Sequence, residues 1–118
     1  MALLRLGPAA TFVAAAGAQN NVTPVPAITT LNRLLVDTSA GAASFTGLLA
    51  GLDGQLLWVR NIGANDLTLN NENAGSTITN RFNDGTMGDF TVVGGASLLI
   101  YYDATIGAGT PGRWIMGV

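Results

Sequence analysis

The chain has 118 residues, of which 48% are hydrophobic and only 10% charged, with a net charge of −2. That length suits one domain with a real core, and the charge content is well below the roughly 25% of an ordinary soluble domain, so the surface is poorly protected from self-association. Histidine and cysteine are both missing, which removes the commonest general base, the commonest metal ligand, disulfides and thiolate metal sites together.

All the basic residues are arginines (Arg5, Arg33, Arg60, Arg81 and Arg113). Their scatter along the sequence is not the clustered positive charge that nucleic acid demands. No apolar run approaches the roughly 18 to 20 residues of a membrane helix.

Residues 1–30 read as an arm, rich in Ala, Pro, Thr, Gln and Asn and interrupted by Pro8, Pro24 and Pro26. Its sizeable apolar groups are Leu3, Leu4, Leu6, Phe12 and Val13. Arg5, an alanine-rich middle and the small residues Ala16, Gly17 and Ala18 resemble a secretory signal, but Gly7 and Pro8 and the weak apolar middle speak against it. Alanine content allows a short helix over 9–16. Such a helix is too short to be stable alone.

From residue 31 the pattern becomes short extended runs between turn residues, predicting strands over 32–38, 44–46, 56–62, 66–70, 77–82, 89–93, 96–102 and 113–116. The centre of the chain is 55–82, where Leu56 to Ile62 is followed by the turn residues Gly63, Ala64, Asn65 and Asp66 and then by alternating Leu67 and Leu69, the pattern of a β-hairpin. Gly94 and Gly95 predict a second hairpin between 89–93 and 96–102. The whole reads as all-β, a small antiparallel sandwich or barrel of seven or eight strands, β-tulip or jelly-roll-like, occupying 31–118 behind an extended N-terminal arm. Leu56-Leu57-Trp58-Val59 and Leu98 to Tyr102 are apolar on both faces, which calls for cover on both sides and argues for oligomerisation.

Candidate chemistry is sparse. Gly107 to Gly112 spells G-x-G-x-x-G, but too few residues follow for the helix and the distant acid that a dinucleotide site requires, so it reads as a turn. Asn83, Asp84 and Asp89, with Asn70, Asn71, Glu72 and Asn73, offer oxygen ligands without the spacing of a calcium loop, and read as solvated turns. Trp58, Trp114, Tyr101 and Tyr102 are either core or an aromatic platform for sugars. Asn21-Val22-Thr23 matches a glycosylation acceptor.

Six short elements carry a resemblance: Gly54-Gln55, Asn61-Ile62-Gly63, Leu67-Thr68-Leu69, Asn80-Arg81-Phe82, Tyr102-Asp103 and Arg113-Trp114. Together they are similar to a small β module of tailed-bacteriophage structural proteins, found in fibre tips and in capsid decoration (cement) proteins. Fibre proteins carry long repetitive shafts before such a module, whereas an arm of thirty residues precedes it here, so the chain more closely resembles a decoration protein.

The resemblance implies a virion protein on the capsid exterior that sits as a homotrimer and clamps neighbouring copies of the major capsid protein. No enzyme activity, catalytic residue, cofactor, metal, nucleic acid or membrane is expected. The arm is the candidate clamp, through Leu3, Leu4, Arg5, Leu6, Phe12 and Val13, chosen because the arm's largest apolar groups are among them. Leu57, Val59, Arg81, Tyr101 and Arg113 are expected at the subunit interface. The alternative is a receptor-binding or tail-fibre tip module that binds host glycan.

Overall fold

The computed structural model describes residues 7–84, 88–105 and 111–116. Among them are ten strands: β1 (Ala9–Val13), β2 (Gly17–Gln19), β3 (Arg33–Asp37), β4 (Ala43–Phe45), β5 (Leu56–Asn61), β6 (Leu67–Leu69), β7 (Phe82–Asn83), β8 (Phe90–Val92), β9 (Ser97–Asp103) and β10 (Arg113–Ile115). They form a six-stranded sheet in the order β1-β3-β5-β9-β10-β7 and a four-stranded sheet in the order β2-β4-β6-β8. Among the described residues helix is confined to two single 3-10 turns, Ile28–Thr30 and Ile78–Asn80.

The chain is β-rich as expected, but the sheets are mixed rather than antiparallel. β1 with β3, β3 with β5, β2 with β4, β4 with β6 and β7 with β10 run parallel, and only β5 with β9, β9 with β10 and β6 with β8 run antiparallel. The cause is a change of sheet at each turn. β1, β3 and β5 lie in the large sheet, and each is followed by a strand of the small sheet, so that three strand-turn-strand arches stack in parallel with a period of roughly 25 residues. A fourth arch, β8 to β9, is traversed the other way and closes the stack by pairing antiparallel with β6 and β5.

Neither predicted hairpin therefore exists, because β5 and β6, like β8 and β9, belong to different sheets. Asn61 explains the first failure. Its Oδ1 accepts from the Gly63 N–H at 3.1 Å, and its Nδ2 donates to the carbonyls of Asn65 at 2.6 Å and Val92 at 2.9 Å. The Thr38 hydroxyl of the preceding arch lies 2.9 Å from Asn61 Oδ1 and 2.7 Å from the Asn65 carbonyl. A buried carboxamide thus supplies bonds that a hairpin ladder would have made, and turns the chain out of its sheet. A side chain on Gly63 would strike the backbone nitrogen and hydroxyl of Thr38, so the close stacking of these two arches requires glycine there.

Two further expectations change. The run 77–82 is a 3-10 turn before the two-residue β7, not one strand. Residues 9–16 form no helix, since Ala9–Val13 pairs with β3 along its length and so satisfies its backbone in a sheet. The rest of the described N-terminal segment is also built in: β2 pairs with β4, Val22 bridges Leu48, and Ala10, Ala14, Val22 and Ile28 are buried.

The core lies between the inner faces of the sheets. Leu34, Val36, Leu57, Val59 and Ile100 come from the large sheet and Ala43, Phe45, Leu67, Leu69 and Val92 from the small one. Phe12 meets Phe45 edge to face, with ring centroids 5.5 Å apart. No buried side-chain nitrogen or oxygen lacks a partner among the described residues.

Candidate functional site

The elements that carry the family resemblance are fasteners of the fold. Gln55 Nε2 donates to the carbonyls of Ile28 and Leu31, at 2.7 and 2.8 Å, and its Oε1 accepts from the Leu52 N–H. Asn80 accepts from the Ala50 N–H and donates to Asn21 Oδ1, and Arg81 Nε donates to the Ser76 carbonyl at 3.0 Å. Trp114 is wholly buried, its indole N–H shared between the carbonyls of Leu48 and Leu49. Tyr102 crosses it at 5.1 Å between centroids and donates its hydroxyl to the Thr79 carbonyl. Burial pushes the Tyr102 phenol above its ordinary value, against a smaller opposing pull from the Arg113 charge.

The predicted interface residues divide. Leu57 and Val59, 0% and 1% exposed, belong to the chain's own core, and side chains spent there offer nothing to a second subunit. Arg113 is likewise buried, in an ion pair with Glu72 at 2.6 Å, with its Nη1 donating to the Pro111 carbonyl. The pair ties the last strand to the loop after β6. Arg81 is half-buried on Ser76. Tyr101 is half-buried on the outer face of the large sheet.

Of the predicted capsid-binding residues, Phe12 packs on the core and Val13 is 69% exposed at the end of β1. Leu3, Leu4, Arg5 and Leu6 lie outside the described residues, as does most of the Gly107 to Gly112 motif. Asn21 of the glycosylation acceptor is engaged, its Oδ1 accepting from the Thr77 N–H and from Asn80 Nδ2. Asp89 uses its carboxylate on Asn70 Nδ2 and the Asn71 N–H. No group of acids able to hold a metal occurs among the described residues.

What the sequence reading did not foresee lies on the outer face of the large sheet. Strand register sets Arg33 beside Trp58 and Trp58 beside Leu99, and in the next row Leu35 beside Arg60 and Arg60 beside Ser97. Arg33, Leu35, Trp58, Arg60 and Ser97 line an open depression of ≈ 320 Å³. On its other flank, Leu56, Tyr101 and Ile115 form a further row across β5, β9 and β10, with Leu56 46% exposed. The signal that could have found this face is the arch period, which aligns Arg33 with Trp58 and Leu35 with Arg60 once the strands are known to stack in parallel.

Comparison with protein-family models, with curated proteins and with solved structures returned no match. Among the described residues no helix is long and apolar enough to cross a membrane.

Proposed function

We propose that this protein is a non-catalytic structural component of a phage virion, decorating and stabilising the capsid exterior as a homotrimer bound to the major capsid protein. The observation that carries the reading is the apolar row of Leu56, Tyr101 and Ile115, continued by Leu99, on a sheet face turned away from the core. A chain with so few charges has little else to keep such a face apart from a second protein surface. The six elements of the resemblance supply the virion class. In this reading the two sheets and their common core are a small sandwich, and the Leu56, Tyr101 and Ile115 flank of the large sheet's outer face is the subunit contact, which leaves the depression around Trp58 open. The clamp is assigned to the residues before β1.

Decoration works by adding modest contacts many times over. Each copy shifts the assembled state by mass action and by the apolar area removed from water, at about 25 cal/mol per Å² before ordering costs. The test is to purify the particle, locate the protein on it by electron microscopy, and measure its mass in solution by sedimentation. Density on the head shell, a trimer, and loss of the trimer in Tyr101→Asp are expected. A position at the tail tip, or a monomer at high concentration, would overturn the proposal. Because β1 and β2 are sheet strands, the clamp is tested by deleting residues 2–6 only: trimers should persist and shell binding should be lost.

A second reading, a fibre-tip or receptor-binding module for host glycan, is favoured by one observation, the depression around Trp58 with two arginines at its rim.

A further inference from the structure

We infer that the depression around Trp58 is a binding site for a carboxylate-bearing saccharide, with Arg33 and Arg60 gripping the carboxylate and Trp58 taking the apolar face of the sugar ring. The inference concerns the isolated chain and does not rest on the capsid reading.

Charge is the first argument. The protein is acidic overall, with net charge −2, yet two of its arginines converge on one depression. Neither guanidinium makes a hydrogen bond or ion pair to any described residue, whereas that of Arg113 has Glu72 and that of Arg81 has the Ser76 carbonyl. Arg33 and Arg60 are diagonal across β3 and β5, and both line the depression that Trp58 shares. Two like charges lining one depression are both available to an anion placed there, and the planar fork of arginine fits a carboxylate.

The lining decides which anion. Trp58 and Leu35 give half of it an apolar character, unsuited to a bare inorganic ion, while the Ser97 hydroxyl can donate to or accept from a neutral hydroxyl. A sugar acid presents all three features, a carboxylate, a C–H face that lies on an aromatic ring, and hydroxyls. The volume, ≈ 320 Å³, falls at the lower end of the roughly 300 to 1,000 Å³ of small-molecule sites. A nucleic acid needs many more phosphate contacts than two arginines supply.

The experiment titrates the full chain with trigalacturonate and with sialyllactose, following the two indole N–H resonances. Trp114 is wholly buried and serves as the internal reference. At least one of the two sugars should shift the Trp58 resonance and leave Trp114 in place. Arg33→Gln and Arg60→Gln should each weaken binding by about tenfold or more, as should Trp58→Ala when followed by calorimetry, and the methyl ester of the bound sugar should lose a similar factor. Trp114 unchanged in each variant confirms that the fold is retained. Failure of both sugars to shift Trp58, equal binding of the ester, or indifference to the arginine substitutions would overturn the proposal. So would equal or tighter binding of acetate or hexaglutamate, which would assign the site to any carboxylate or to an acidic peptide.

Discussion

The inner and outer faces of β5 are set by alternate residues of one six-residue strand, and they do different work. Leu57, Val59 and Asn61 point inward and are buried, two of them in the core and the third at the mouth of an arch. Leu56, Trp58 and Arg60 point outward and are half-buried or exposed. A strand apolar on both faces needs two covers, and the described residues provide only one of them, the four-stranded sheet. The short elements from Gly54-Gln55 to Arg113-Trp114 concentrate on the covered side, so their work is in folding. What remains for contact with other molecules is the side that the core does not use.

The sharpest way to break that contrast is to cut back adjacent leucines. Leu57→Ala removes a fully buried side chain and should cost about 2 to 5 kcal/mol of unfolding free energy, through lost transfer energy and the cavity left behind. Leu56→Ala, one residue away on the open face, should stay within about 0.5 kcal/mol and act on association instead. Urea unfolding at several protein concentrations separates the two, because a loss that belongs to an interface varies with concentration and a core loss does not. Equal effects of the two substitutions would mean that the outer face is already covered.

Asn61→Leu comes next. It fits the volume of a core residue but removes the partner of the Gly63 N–H and of the Val92 carbonyl's side-chain bond, while the Thr38 hydroxyl and the Asn65 carbonyl keep each other. Each buried group left unsatisfied costs about 1 to 3 kcal/mol, and rearrangement of the arch recovers part of this. A thermal midpoint unchanged within error would show that Asn61 does not hold the third arch, and the account of the change of sheet would fall with it.

Much of the local structure was legible in the sequence. The strands over 32–38, 56–62 and 96–102 were set by β-branched and aromatic runs, and the structure keeps them with ends moved by a residue or so. Connectivity was not legible, because Gly63-Ala64-Asn65-Asp66 has the composition of a hairpin turn and of an arch alike. Only the buried partners of Asn61, contributed by Thr38 and Val92 far away in the chain, decide between them. The same blindness hid the depression. Arg33 and Arg60 look scattered until parallel pairing sets them on adjacent strands, and Trp58 and Trp114 look alike until one proves to be outside and the other inside.

The smallest expected effect lies at the border between the two faces. Asp37 ends β3 on the outer side, opposite Val13 of β1, where the second arch begins. The Ser39 backbone N–H, 2.9 Å from Asp37 Oδ1, holds its carboxyl below the ordinary value of 3.8, helped by the Ser39 side chain and opposed by a little desolvation. A carboxylate whose pKa is lower in the folded state adds stability above its unfolded value, and that stability fades as pH falls through the folded one. Asp37→Asn should therefore lower the thermal midpoint slightly at pH 7, and the difference from the parent should shrink as the pH falls below 3.8. A difference that stays constant, or grows, on acidification would show that the Asp37 charge does not brace the arch, and that Ser39 is held by the stacking of its neighbours alone.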